Sequence, residues 1–133
     1  MGRLINPGFG EQLDRCTILE MKITQAITEG TGQEAQFAGE LAAIKALLPM
    51  VYPDPMHELH NALAEVNALL WNAEDKMRDC RRRKHHLQTT EMFEVAELGM
   101  LCQELNDQRS TIIAELNLGN NDGWIEKAET EVV

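Results

Sequence analysis

A chain of 133 residues carrying a formal charge of −10, with a pI near 4.8, is long enough for one domain with its own core. That charge excludes a phosphate-backbone binder, whose footprint is a basic surface, and argues against docking on anionic membranes. Hydrophobic residues make up 44% and only three Phe, two Trp and one Tyr are present, so the core falls to Leu, Ile, Met and Ala, which favour helices.

Residues 1–10 carry Gly2, Pro7, Gly8 and Gly10 and read as a turn-rich lead-in. A first helix is expected over 11–28, ending before Gly30 and Gly32. Leu13, Cys16, Thr17, Ile23, Thr24 and Ile27 share one of its sectors, while Ile18 and Leu19 point elsewhere. A helix that is apolar on more than one side touches more than one neighbour, inside the subunit or across an oligomer interface.

A second helix is expected over 33–48, followed by an extended connector enforced by Pro49, Pro53 and Pro55. The third, over 55–86, carries the pattern that organises the chain. Leu59, Leu63, Val66, Leu70, Ala73, Met77 and Cys80 recur at alternating steps of four and three, a coiled-coil-like seam on one side. Thr89 and Thr90 are candidate N-caps for a fourth helix over 91–118, with Gly119 as its stop. Its seam is read as Leu98, Leu101, Leu105, Ile112 and Leu116.

The fold class expected is all-α: a long antiparallel hairpin packed with one or two shorter N-terminal helices. It forms one domain over 1–119, with an acidic tail over 120–133. Asp122, Trp124, Ile125 and Ala128 suggest a short docking helix in that tail. Cys16, Cys80 and Cys102 lie far apart and outside metal-ligand spacings, which predicts free thiols in a reducing cytoplasm. No apolar run reaches transmembrane length, and the first seven residues lack a signal-peptide core. Gly2 is placed for myristoylation, but residue 6 is Asn, so that motif fails.

Four groups of residues could carry chemistry. Arg81, Arg82, Arg83 and Lys84 form the one basic block, either complementing the negative end of a helix or serving as an anion or partner patch. His57 and His60 share a face, and His85 and His86 are adjacent, but neither pair has the spacing of a standard metal motif. Glu94-x-x-Glu97 and Glu104-x-x-Asp107 resemble the paired carboxylates that hold magnesium in all-α nucleotide pyrophosphohydrolases, although here both pairs lie on one helix. Finally, Glu20 and Arg109 fall in or beside apolar sectors, with Glu74 and Arg78 near the third seam. Charges placed there must find partners, which predicts an inter-helix polar layer of Glu20, Glu74, Arg78 and Arg109.

Asp14-Arg15-x-Thr17-Ile18-Leu19-Glu20-x-Lys22, Leu70-Trp71-x-x-Glu74-Asp75-x-x-Arg78 and Asn106-Asp107-x-Arg109 with Leu116-Asn117 carry a resemblance. Together they look like a domain-of-unknown-function family of small helical bacterial proteins, some associated with surface-sugar biosynthesis or glycosyltransferase regions. The resemblance implies an all-helical fold, marks Glu20, Glu74, Asp75, Arg78, Asp107 and Arg109 as signature positions, and implies no activity. It leaves out 33–55 and everything after Gly119.

The functional expectation is a non-enzymatic helical protein that self-associates as a homo-oligomer or docks to a protein partner. A small structural subunit of a larger assembly, including a viral one, fits the same features. The alternatives are a divalent-metal-dependent pyrophosphohydrolase-like enzyme and a small-ligand module built on the Glu/Arg layer. The leading reading expects no metal, cofactor, nucleic acid or membrane.

Overall fold

The computed structural model describes residues 8–48, 53–83 and 86–121. Within them the chain forms four α-helices and no strand: α1 Phe9–Glu29, α2 Glu34–Lys45, α3 Asp54–Arg82 and α4 Thr89–Asn121. The expected all-α architecture is present. The proposed tail helix, Lys84, His85 and the connector at 49–52 lie outside the described residues.

α3 and α4 form the long antiparallel hairpin. Leu63 packs in one cluster with Leu116, Leu70 packs with Leu105, and Met77 touches Cys102, so residue numbers rise on one helix as they fall on the other. The seam of α3 faces inward as its spacing requires: Leu63, Val66, Leu70, Ala73 and Cys80 are buried, with Leu59 and Met77 half-buried. α1 packs across both helices of the hairpin and also carries α2, which leans mainly on α1 and buries none of its own residues completely.

Helix limits differ from the sequence reading at several points: α2 stops at Lys45, three residues early, and α3 at Arg82, four residues early. α1 begins at Phe9, two residues early, because Phe9 is a core residue and Gly10 is where α1 meets α4. A Cβ on Gly10 would lie 2.5 Å from the Ile113 carbonyl oxygen, so the close approach requires glycine. At the N-terminus of α4, the Gln88 N–H donates to the Glu91 carboxylate, half of a capping box, so Gln88 and not Thr89 or Thr90 stands at the cap. Its far end runs through Gly119, which is buried and keeps a negative φ. By contrast Gly30 does stop α1: it adopts φ 66°, and the N–H groups of Gly30 and Thr31 close back onto Ile27 and Ala26 in a Schellman arrangement.

The surplus apolar positions of α1 are satisfied within the subunit. Leu19 is fully buried and Ile18 half-buried, so their exposure is no argument for an oligomer. Ile27, placed in the inward sector by its helical angle, is exposed near the end of the helix.

Candidate functional site

Two features stand out from this frame: a polar layer inside the bundle and three exposed apolar side chains on the outer face of α4. The inward seam of α4 is Leu98, Cys102, Leu105, Arg109, Ile112 and Leu116, an unbroken alternation of four and three. Leu101, assigned to the seam from sequence, is exposed, and Arg109 occupies a seam position itself.

Arg109 is paired, but with Asp14 and not Glu20. Its Nε donates to Asp14 Oδ1 at 2.8 Å and its Nη2 to Asp14 Oδ2, a two-point clamp between α4 and α1. Asn67 on α3 closes the layer by donating its amide hydrogens to Asp14 Oδ1 at 2.9 Å and to Thr17 Oγ1 at 2.6 Å. Thr17 in turn donates its hydroxyl to the Asp14 carbonyl at 2.8 Å. Asp14, Thr17 and Asn67 are all buried, and together they tie three helices at one level. The hydrogen bond it donates to Asp14 makes Arg109 hold its proton more firmly than usual, burial opposes it, and the charges of Asp14 and Glu74 add to it.

The layer separates two apolar clusters. Phe9, Leu13, Met56, Leu63 and Leu116 fill one side, Val66, Leu70 and Leu105 the other, and Ile112 packs against both. Beyond the first cluster, Asn117 clamps the N-terminus of α1. Its Oδ1 accepts from the Gly10 N–H at 2.7 Å and its amide donates to the Glu11 carboxylate.

The other predicted site residues are not brought together. Glu20 is exposed and pairs with Lys45 of α2 at 3.7 Å. Its helical angle is close to that of Leu13, but here a groove of about 450 Å³ opens between α1 and α3, floored by Met21, Ala64, Ala68 and Trp71, and Glu20 faces into it. Asp75 and Arg78 form an exposed pair on one helix. Glu74 is exposed; it lines a hollow of about 490 Å³ with Arg78, Arg81, Met77 and Leu87. The predicted buried cluster of Glu20, Glu74, Arg78 and Arg109 is therefore replaced by Asp14, Thr17, Asn67 and Arg109.

In the basic block Arg81 and Arg82 are exposed, whereas Arg83 is held by Asp79 at 3.1 Å and by Glu91 at 2.8 Å. The Arg83 hydrogen bond lowers the Glu91 pKa, and Glu91 correspondingly raises that of Arg83. Among the described residues no group of three His, Cys, Asp or Glu side chains is gathered closely enough to hold a metal ion. Burial pushes the His60 pKa down and those of Cys16 and Cys102 up. The three cysteines are free thiols.

The outer side of α4 is polar over most of its length but carries three large apolar side chains. Phe93, Met100 and Leu118 remain 69%, 63% and 59% exposed. At about 100° per residue they project within roughly 20° of one line, with Thr111 on the same line. Asp107 lies within about 40° of it, and Glu97, Glu104 and Glu115 border one side. These four carboxylates are exposed, and none has an ion-pair partner among the described residues.

No family model, curated protein or solved structure matches this chain. Among the described residues no helix is long and apolar enough to cross a membrane.

Proposed function

We propose that the protein is a non-enzymatic helical docking module, working by self-association or by binding another protein through the outer face of α4. The observation that carries this reading is the line of Phe93, Met100 and Leu118, three large apolar side chains left to solvent on one helix face. Scattered apolar residues are ordinary on a protein surface; Phe93 and Met100, two turns apart on one face, form the kind of exposed pair that a helical partner buries, and Leu118 adds an anchor farther along that face. The internal polar layer supports the reading from the other side, because it holds α1, α3 and α4 in one register behind that face. The carboxylate pairs Glu94/Glu97 and Glu104/Asp107, which motivate the enzyme alternative, are exposed on a single helix.

The test is to purify the protein under native conditions, alone and with Phe93→Ser and Met100→Ser combined. The wild type should travel as a complex, with itself or with a stoichiometric second protein, at a mass above the 15.0 kDa of one chain. The double variant should run as a folded single chain. A wild type that runs as a bare monomer, with no second protein, would remove the basis for the proposal.

A further inference from the structure

We infer that the outer face of α4 receives a basic amphipathic helix that sets a Lys or Arg against Asp107. This inference rests on the docking function proposed above and names the chemistry of the partner. Phe93 and Leu118 lie roughly 37 Å apart at 1.5 Å per residue, the length of a helix of about seven turns, and Glu104, Asp107 and Thr111 occupy the line between Met100 and Leu118. Asp107 lies near the middle of that span, with Glu104 about as close to the line on its other side. A wholly apolar partner would bury that carboxylate without a counter-charge, which is costly. The flank adds Glu97, Glu104 and Glu115, so an approaching partner meets four negative charges, unpaired among the described residues, around three apolar anchors. α4 carries a single cation, Arg109, and Asp14 already holds it on the opposite side.

The same charges argue against a second copy of α4 on this face. Antiparallel pairing that brings Phe93 against Leu118 sets Asp107 against Glu104 of the second copy, twice by symmetry. Parallel pairing sets Asp107 against Asp107. Either arrangement places like charges inside the contact, whereas a basic flank turns every one of them into attraction.

The experiment uses the full chain and three synthetic helical peptides of about 28 residues, identical in their Leu pattern. Their polar flank and central position are Lys, Gln or Glu. Binding is read by fluorescence anisotropy of labelled peptide at two salt concentrations. The Lys peptide should bind at least about tenfold more tightly than the Gln peptide, lose that advantage as salt rises, and the Glu peptide should not bind. Asp107→Leu should reduce the advantage of the Lys peptide over the Gln peptide, while far-UV circular dichroism stays unchanged because Asp107 is exposed. Phe93→Ser with Met100→Ser should weaken all binding, which separates a seated helix from adsorption of a cation on an acidic surface. Equal binding of the Lys and Gln peptides, both lost in the Ser variant, would overturn the basic partner and leave the docking function standing. Binding of the Lys peptide that is indifferent to the Ser variant would overturn this inference, and a native monomer without any partner would overturn the docking function itself.

Discussion

Arg109 of α4 and Asp14 of α1, 95 positions apart in the chain, meet through two parallel hydrogen bonds at the level where both apolar clusters stop. The guanidinium fork suits this role because it grips a carboxylate at both oxygens, fixing the rotation of one helix against the other. Asn67 then fixes α3 to the same carboxylate.

Removing one member of the pair should cost more than removing both. Arg109→Met leaves Asp14 buried with only Asn67 as a hydrogen-bond donor from another side chain. Asp14→Leu leaves the guanidinium without its acceptor. Each single change should lower stability by about 2–4 kcal/mol, discounted from a fully buried pair because Arg109 is partly exposed. The double variant should cost clearly less than the sum. Denaturant midpoints at constant m-value measure the coupling, and additive effects below about 0.5 kcal/mol would show the pair to be idle.

Gly10 and Gly39 should respond oppositely to alanine. At Gly10 the new methyl group meets the backbone of Ile113, which has no side-chain freedom with which to yield, so α1 and α4 must separate. A loss of about 1–3 kcal/mol is expected. Gly39 sits inside α2 with no atom of the described residues within 4 Å of a new methyl group, and there alanine should stabilise by about 0.5–1 kcal/mol through helix propensity. Thermal unfolding of the two variants checks both signs at once.

Stability should decline on mild acidification, in part through His60. Burial is the main cause of its lowered pKa, with Glu20 pulling the other way and His57 and Lys45 adding to the depression. Above the ordinary value of 6.5 the imidazole is neutral in both states, and its full contribution is present. As the pH falls through 6.5, the unfolded chain takes a proton that the folded one resists, so stability drops until the folded value is passed and then levels off. His60→Gln should flatten the dependence of the denaturant midpoint on pH across that window. An unchanged slope would assign it to other groups.

Much of the bundle can be read in the sequence because apolar spacing alone determines it. The steps of four and three from Leu59 to Cys80 leave one way to face a neighbouring helix, and the short link to α4 leaves one direction for the hairpin. The seam of α4 is misread for a physical reason. Choosing apolar residues admits Leu101 and sets Arg109 aside, whereas following the spacing strictly includes Arg109 and excludes Leu101. Once Arg109 is on the seam, an acid on the facing helix is required. Gly10, Asp14 and Thr17 carry the signal, since they recur at steps of four and three on the side of α1 that approaches α4. Glu20 has the right angle but lies where α1 and α3 stand apart, and helical angle carries no information about that separation. Asn67 has no signal of its own in the sequence, because its role depends on Asp14 and Thr17 arriving opposite it.

α2 is held differently from the other three helices. It buries none of its residues fully and is fastened to α1 by exposed pairs, Arg15 with Glu40 and Glu20 with Lys45, and by Lys22 seated 5.5 Å from the centre of the Phe37 ring. Exposed ion pairs of this kind contribute little each. Amide protons of α2 should therefore exchange with solvent well before those at the level of Asp14 and Asn67, in an opening that leaves the three-helix frame intact. That exchange would mark the detachment of one helix and not the melting of the molecule.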